Sequence, residues 1–199
     1  MHVHSAYDAT YETIHLTNKQ FPYWTVSYIV EGELEVTDAA VIQSAGSGQV
    51  MIHAPDIPFG ERAFRPGHHK WLLLEASNCY GIDLFRLFPV TEVVTVSEPA
   101  RFEALLGDII RLWAEPAAPF RGIRLAGLAL QLAGCILQDW EREGMTARKT
   151  QLSRKDERLD RVITHLMAHA FGKVSREDLA KLVHLNPNYL DRIFEERFR

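Results

Sequence analysis

The chain has 199 residues, of which 47% are hydrophobic and 24% are charged. This composition is typical of a globular protein with one large or two small cores, and no apolar run approaches the roughly 18 residues that a membrane span requires. The net charge of −4 is unevenly distributed, because residues 1–143 carry 10 basic and 18 acidic side chains while residues 144–199 carry 12 and 8. The net charge of the whole chain argues against a nucleic-acid partner, but the basic C-terminal quarter is compatible with one.

The chain start and the cysteines narrow the protein class further. The first residues, Met1-His-Val-His-Ser5, lack the basic start and the apolar core of a signal peptide, so we expect a soluble cytoplasmic protein. Cys79 and Cys135 lack C-x-x-C spacing, which predicts structural thiols rather than a redox or zinc site. The sequence contains no G-x-S-x-G, Walker, G-x-G-x-x-G or H-E-x-x-H motif, and we predict no catalytic residue.

Between residues 10 and 96, apolar and polar side chains alternate in short runs separated by turn residues such as Gly32, Asp38 and Pro66-Gly67. The predicted strands cover residues 10–17, 25–30, 33–37, 40–44, 49–53, 70–75 and 92–96. Seven short strands without intervening helices predict one antiparallel sandwich or barrel.

After Pro99 the apolar spacing becomes helical, and it predicts helices over about residues 102–113 and 121–142. The second helix has two apolar stripes, Leu125/Leu128/Leu132/Ile136 and Ile123/Leu130/Leu137. One stripe can pack on the sheet, and the other needs the preceding helix or a second subunit. We predict a homodimer through Leu125, Leu128, Leu132 and Ile136, although an intramolecular helix pair accounts for both stripes and the sequence does not decide which stripe forms the dimer contact.

Residues 144–155 are rich in hydroxyls and cations, which predicts a linker between a domain at residues 1–143 and a domain at residues 156–199. The second domain has three predicted helices. The first covers about residues 156–170, the second follows the N-cap Ser175 with Asp178 completing a capping-box-like pair, and the third follows the N-cap Asn186 with Pro187 at its first position. The short turn at His184-Leu185 predicts a helix-turn-helix.

The spacing in this helix-turn-helix separates a core from an outer face. The predicted core residues are Leu179, Val183, Leu185, Leu190 and Phe194, and the predicted outer residues are Asn188, Asp191, Arg192 and Glu195. Any three-helix domain can show such a core, so the spacing alone leaves both a structural and a DNA-binding interpretation open.

The run from Val174 to Phe194 resembles the first helix-turn-helix of AraC-family transcription regulators. It contains Leu179-Ala180 in the second helix, Leu185-Asn186 leading into the third, and then Tyr-Leu-x-Arg-x-Phe at residues 189–194. The preceding body is similar to the cupin-like sensor domain of the same family, on three segments: Tyr28-Ile-Val-Glu-Gly32, the stretch from Gly48 to Pro55, and the aromatic-rich strand from Lys70 to Glu75.

The resemblance implies a mixed β-then-α fold: an antiparallel cupin-like β-barrel with a C-terminal helix pair, followed by a three-helix helix-turn-helix unit. It implies a transcription regulator and not an enzyme, with promoter DNA, a small-molecule effector, a second copy of the chain and RNA polymerase as partners, and no membrane. Family members continue into a second helix-turn-helix, so this chain is expected to be truncated, with an incomplete reader whose DNA binding is weak or absent.

Family position and side-chain chemistry together predict the DNA contacts. Arg192 suits guanine O6 and N7, Asp191 suits cytosine N4, and Asn188 suits adenine. Ser175, the amides of the second helix and Lys181 are predicted to position a phosphate. The alternative is that Arg192 pairs with Glu196, that Asp191 is merely solvated, and that all are surface residues of a structural domain.

The predicted effector pocket is the interior of the β-domain. Its candidate residues are His15, Trp24, Tyr28, His53 and Trp71, which suit a sugar or an aromatic metabolite. The alternative is that the tryptophans are core residues and the histidines are exposed or already hydrogen-bonded.

A metal site is not predicted. Cupin enzymes bind iron or manganese through H-x-H…E and a later histidine, whereas here His53 is isolated and His68-His69 stand beside Pro66-Gly67 in a predicted loop. We therefore predict no cofactor. A cupin-type metalloenzyme and an effector-binding dimer without DNA binding are the alternative functions.

Overall fold

The computed structural model describes residues 1–38, 41–77, 83–88, 90, 92–148, 154–169 and 172–198. The chain divides into two compact units, Met1–Glu143 and Gly144–Arg199, which we call the N-terminal unit and the C-terminal unit. Cys79 lies outside the described residues. Cys135 is a half-buried free thiol whose pKa is raised, chiefly by burial.

The N-terminal unit contains two antiparallel sheets. The five-stranded sheet has the order β1-β8-β3-β6-β9, with β1 at His2–Tyr11, β3 at Trp24–Glu31, β6 at Gln49–His53, β8 at Gly67–Glu75 and β9 at Val93–Thr95. The four-stranded sheet has the order β2-β7-β4-β5, with β2 at Ile14–Lys19, β4 at Glu33–Asp38, β5 at Val41–Gly46 and β7 at Phe59–Ala63.

The sheets face each other across a small apolar core, to which Ile29 and Met51 contribute from the larger sheet and Leu34, Val36 and Ala63 from the smaller one. Each sheet keeps two edge strands, and no strand pairing among the described residues joins the sheets. Of the sandwich and the barrel that the strand pattern leaves open, the structure is therefore an open sandwich, and its two sheets are not closed into the cupin-like barrel that the resemblance implies. Alternation along a strand predicts the two faces but does not determine whether the edges meet.

The other face of the five-stranded sheet is covered by helices. Three helices follow or interrupt the strands of this unit: α1 at Leu84–Leu87, α2 at Pro99–Trp113 and α3 at Arg121–Arg148. Trp24, Val26 and Tyr28 of β3 pack in one apolar cluster with residues such as Phe102 of α2 and Leu132 of α3. Since β3 is covered on both faces, its residues from Trp24 to Ile29 are all buried.

Five elements differ from the sequence prediction. Helix α1, which interrupts the strands, was not predicted, because four residues are too few to show helical periodicity. Strands β1 and β7 were not predicted, because β1 is rich in His and Tyr and β7 combines Gly60, Glu61 and Arg62 in five residues. His68 and His69 lie in β8 and not in a loop. Helix α3 continues beyond Arg142 to Arg148, into the predicted linker, because no proline stops it after Gly144. Residues 149–153 of that linker lie outside the described residues.

The C-terminal unit contains α4 at Arg154–Ala168, α5 at Arg176–Leu182 and α6 at Pro187–Phe198. Its buried core is formed by Leu159 and Val162 of α4, Ala180 and Val183 at α5, and Leu190 and Ile193 of α6. Leu179, Leu185 and Phe194 pack at the edge of this core, and Ile193, which was not predicted, occupies its centre. No described helix in the chain is both long enough and apolar enough to cross a membrane.

The helix starts of this unit follow from local sequence. Asn186 Oδ1 accepts a hydrogen bond from the Asn188 amide at 2.9 Å, and Pro187 begins α6 where an N–H is not needed. Between α5 and α6, His184 has a positive φ of 54°, and the Leu185 amide donates to the Ala180 carbonyl at 2.9 Å. This tight turn sets the angle between the two helices of the motif.

Candidate functional site

Polar side chains are buried between the two sheets of the N-terminal unit. Thr25 and Ser27 come from β3, His53 from β6 and Glu61 from β7, and each is at most 6% exposed. His53 Nε2 is 3.1 Å from Glu61 Oε1, and the His53 ring stacks on Phe59 at a centroid distance of 3.8 Å. Since a buried polar group without a partner destabilises the fold, this hydrogen bond is required by the burial of both groups.

Two half-buried residues extend this set. Ser27 Oγ is within hydrogen-bond distance of His69 Nδ1, at 3.1 Å, and the edge of the His69 ring meets Tyr11 at 5.4 Å between centroids. Burial lowers the pKa of His69, so it favours the neutral imidazole, while burial and then the Glu61 charge raise the pKa of Tyr11. We call Tyr11, Thr25, Ser27, His53, Glu61 and His69 the inner polar cluster.

The inner polar cluster contains two buried atoms that have no hydrogen-bond partner among the described residues, His53 Nδ1 and Tyr11 Oη. When His53 Nε2 donates its proton to Glu61, Nδ1 of the neutral ring is an acceptor, and Tyr11 Oη is a donor. The cluster thus offers one unused acceptor and one unused donor in the interior of the sandwich.

The structure does not bring the five predicted pocket residues together. Trp24 and Tyr28 lie on the helix-covered face, where Trp24 Nε1 donates to Asp83 at 2.8 Å and Tyr28 Oη donates to Glu103 at 3.2 Å. Burial, and then the Glu103 charge, raises the pKa of Tyr28 to about 12. His15 is exposed on β2, so only His53 and Trp71 remain on the face that carries the inner polar cluster.

Trp71 is half-buried and lies opposite Ser27 in the strand register, with its ring 4.8 Å from that of the exposed Tyr7. Sequence reasoning missed Thr25, Ser27, Glu61 and Tyr11. The available signal was the pair Thr25 and Ser27, which interrupts the apolar run of β3. A hydroxyl residue on a solvent-exposed face is hydrated, whereas one inside a strand covered on both sides destabilises the fold unless it is hydrogen-bonded. Within the described residues, no three His, Cys, Asp or Glu side chains form a set of metal ligands.

In the C-terminal unit, Asn188, Asp191 and Arg192 are exposed together on α6, and we call them the reader face. Arg192 pairs with Glu196 at 3.7 Å and lies over the Tyr189 ring at 4.9 Å. Asn188 and Asp191 are both held by Arg176, the first residue of α5. The Arg192–Glu196 pair that the sequence left open therefore forms in this structure, without removing Arg192 from the surface.

The predicted phosphate contacts lie at α5. Ser175 Oγ accepts from the Asp178 amide at 3.1 Å and donates to Asp178 Oδ2 at 2.6 Å, which forms the capping pair. The hydrogen bonds from Ser175 lower the pKa of Asp178. The ionised Asp178 side chain thus lies at the helix start, where it would repel a phosphate, whereas Lys181 is exposed on the last turn.

The predicted dimer contact on α3 lies inside the N-terminal unit. Leu125, Leu132 and Ile136 are at most 4% exposed in its apolar core, and Leu128 packs against that core, so this stripe is not a free surface and the prediction is corrected. In the other stripe, Ile123 is 75% and Leu130 52% exposed, whereas Leu137 is half-buried against the core. A helical wheel cannot decide which stripe meets the sheet, because both are apolar.

Gly127 and Gly134 lie beside Ile123 and Leu130 on the exposed side of α3. A Cβ added at either glycine would meet no atom within 4 Å. We call Ile123, Gly127, Leu130 and Gly134 the α3 glycine face.

No protein-family model and no curated protein sequence matches this chain. Among solved structures, it is similar to the AraC-like transcriptional activator CuxR, with a TM-score of 0.50 and 9% identity over 96% of this chain and 69% of CuxR. ToxT from Vibrio cholerae gives a TM-score of 0.43 with 7% identity over 100% of this chain and 95% of its own. An RmlC-like cupin from Shewanella frigidimarina gives 0.31 with 20% identity over 35% and 66%.

The likeness to CuxR is a likeness of fold. It extends over nearly the whole chain and therefore includes both the sheets of the N-terminal unit and the helices of the C-terminal unit. The mixed β-then-α fold expected from the resemblance is confirmed, with two open sheets in place of the barrel. The chain therefore shares its overall fold with CuxR.

Proposed function

We propose that this chain is a transcription regulator of the AraC type, in which the N-terminal unit binds a small molecule and dimerises and the C-terminal unit reads promoter DNA in the cytoplasm, with RNA polymerase as a further partner. The observation that carries the proposal is the helix-turn-helix of α5 and α6, with three base-reading side chain types exposed together on α6, in a chain that shares the fold of CuxR. Asn, Asp and Arg suit the edges of bases in the major groove.

Selection from a library of randomised DNA duplexes at low salt tests the DNA-reading part. At low salt the full chain is expected to enrich one sequence weakly, with affinity that falls steeply as salt rises. Arg192→Gln should lower discrimination at one base position by about 1–3 kcal/mol. Lys19→Gln, an exposed charge in the N-terminal unit, is the matched control and should keep the preference. Binding that is equal for all sequences would overturn the proposal.

For the effector, we propose that the inner polar cluster binds a ligand with several hydroxyl groups, such as a sugar. One hydroxyl of such a ligand can donate to His53 Nδ1 and another can accept from Tyr11 Oη, which supplies the partners that both buried atoms lack. An aromatic ligand is less well supported, because Trp24 and Tyr28 lie on the opposite face of the sheet and already have polar partners.

A thermal-shift screen of sugars, polyols and aromatic carboxylates tests the effector site, since a ligand that binds only the folded state raises Tm. A hydroxyl-rich compound should raise the Tm of the wild-type chain. Thr25→Val, in the cluster, should abolish the shift, and Thr17→Val, at an exposed position of β2, should retain it. A shift given only by aromatic carboxylates, or one that survives Thr25→Val, would contradict the proposed site.

For the dimer, we propose that the α3 glycine face packs against the same face of a second copy. A glycine inside a helix destabilises it by about 1 kcal/mol relative to alanine. Among the described residues, no atom outside the backbone of α3 itself lies within 4 Å of a Cβ added at Gly127 or Gly134, so packing within the chain does not require a glycine there. Two such helices can approach closely through their glycines while Ile123 and Leu130 are removed from water, and a self-complementary contact of this kind is typical of two-fold dimers.

Analytical ultracentrifugation at high micromolar concentration tests the dimer. The wild-type chain should sediment as a dimer, and Leu130→Glu should sediment as a monomer because a charge would be buried at the contact. Gln138→Glu adds the same charge to another exposed position of α3 and should remain dimeric. A monomeric wild-type chain, or a dimer that tolerates Leu130→Glu, would refute this contact.

A further inference from the structure

Arg176 links the first helix of the helix-turn-helix to the reader face. Its Nη2 donates to Asn188 Oδ1 at 2.8 Å, and its Nη1 donates to Asp191 Oδ2 at 3.1 Å. A third acceptor, Glu177 Oε1, is 3.3 Å from its Nε. One guanidinium therefore holds two of the three side chains of the reader face, although it belongs to a different helix.

We propose that Arg176 is a positioning residue that determines which bases Asn188 and Asp191 can read. The proposal rests on the DNA-reading function proposed above. A guanidinium has donors and no acceptor, so the atom of the Asn188 amide that faces it is the oxygen. The amide nitrogen Nδ2 is then turned away from Arg176 as a donor. The contact from Arg176 to Asp191 uses Oδ2 and not Oδ1.

This arrangement restricts the base contacts. An asparagine recognises adenine through two hydrogen bonds, which use both its oxygen and its nitrogen. Arg176 occupies one of the two lone pairs of Asn188 Oδ1, so the second lone pair and the Nδ2 donor can still meet a base, but only in the amide orientation that Arg176 fixes. Asp191 Oδ1 can still accept from the amino group of cytosine. Arg176 thus orients both side chains before DNA binds, which supports discrimination at the bases they face.

The same contact changes the electrostatics of the reader face. An isolated aspartate on a recognition helix is repelled by nearby phosphates. The positive charge of Arg176 lies 3.1 Å from the Asp191 carboxylate and offsets this repulsion. Both side chains are about half exposed, so the pair adds little to folding stability, and its replacement leaves the fold intact.

Selection from randomised duplexes with the full chain tests the proposal. Asn188→Ala identifies the base position that Asn188 faces, because discrimination is lost there. Arg176→Gln should reduce discrimination against the wrong bases at that same position by about tenfold, because the Asn188 amide is no longer fixed in one orientation. Adding Asn188→Ala to Arg176→Gln should cause little further loss at that position, because the two residues act together. Lys173→Gln removes one exposed positive charge from the same unit and should leave every base preference unchanged.

The outcomes separate this proposal from the function on which it rests. If the wild-type chain enriches a sequence and Arg176→Gln merely weakens binding to all sequences, with a smaller salt slope, Arg176 is a phosphate contact and the proposal is overturned. Unchanged preferences in Arg176→Gln would also overturn it while leaving the DNA-reading function intact. A wild-type chain without any sequence preference overturns both.

Discussion

The two units place their polar groups in opposite ways. In the N-terminal unit, the polar side chains with unused hydrogen-bonding capacity are buried between two sheets, as His53 and Glu61 illustrate. In the C-terminal unit, the buried core is apolar throughout, and Asn188, Asp191 and Arg192 are exposed. Buried polar groups couple ligand binding to stability, whereas exposed ones can change with little effect on the fold.

The largest expected effect comes from the core of the small C-terminal unit. Leu190→Ala leaves a cavity there and should destabilise the unit by about 2–5 kcal/mol, which is enough to unfold a core of this size. All four tryptophans lie in the N-terminal unit, so helical circular dichroism should fall while the Trp fluorescence transition in urea stays in place. Ile42→Ala, at an exposed isoleucine of β5, is the control, and its helix signal should stay near wild type.

A smaller loss is expected when the buried pair of the N-terminal unit is broken. Glu61→Ala removes the partner of His53 Nε2 and leaves both ring nitrogens unpaired, which should cost about 1–3 kcal/mol. Urea denaturation followed by Trp fluorescence measures this loss. Glu33→Ala, at an exposed position of β4, should change the midpoint little. Equal urea midpoints for Glu61→Ala and Glu33→Ala would mean that buried and exposed polar groups do not differ in their effect on stability.

The two units also differ in how far their sequences determine their sites. Ser175 and Asn186 were predicted as caps, and both cap hydrogen bonds form, because a cap depends on residues only two or three positions away. In β3, alternation could not assign Trp24 and Tyr28 to the helix-covered face and Ser27 to the inner face. Both faces of that strand are buried, so the assignment depends on strands and helices distant in sequence.

The same limit applies to α3 and to β7. The helical wheel predicted both apolar stripes of α3. Packing against the sheet and α2 determines that Leu132 is buried and Leu130 is exposed. Glu61 gave no signal, because a glutamate between Gly60 and Arg62 is typical of a solvated turn. Its burial arises from the pairing of β7 with β2 and β4, which a single sequence does not show.

At alkaline pH, the stability of the N-terminal unit should depend on Tyr28. The pKa of Tyr28 is about 12 in the folded protein, above its ordinary value of 10.0, so the folded state keeps a proton that the unfolded chain releases. Stability should therefore be intact below pH 10 and should fall as pH rises from 10 to 12. In Tyr28→Phe, Trp fluorescence melts between pH 9 and pH 11.5 should show a shallower fall. An unchanged slope would mean that this tyrosine does not carry the effect.

At acidic pH the expected sign is also a loss of stability. Burial holds the pKa of His69 below 6.5 in the folded protein, so the unfolded chain binds its proton at a higher pH. The contribution of the neutral ring is present above pH 6.5 and is lost as pH falls below it. His69→Gln should flatten the dependence of Tm on pH between 7 and 5, and a His69→Gln chain with the wild-type slope would contradict the expectation.

The smallest effect on stability is expected at the reader face, where the comparison between the units is most direct. Asp191→Ala removes a carboxylate that is about half exposed and leaves Arg176 with Asn188 and Glu177, so the free energy of unfolding of the C-terminal unit should change by less than about 0.5 kcal/mol. Its base preference in the duplex selection should nevertheless change. Glu61→Ala also removes a carboxylate, which lies 3.1 Å from His53 Nε2, but this change should lower the stability of the fold. The two pairs have the same length, so the difference in stability loss reflects their burial. Water solvates Arg176 when Asp191 is removed, whereas it cannot reach His53 when Glu61 is removed.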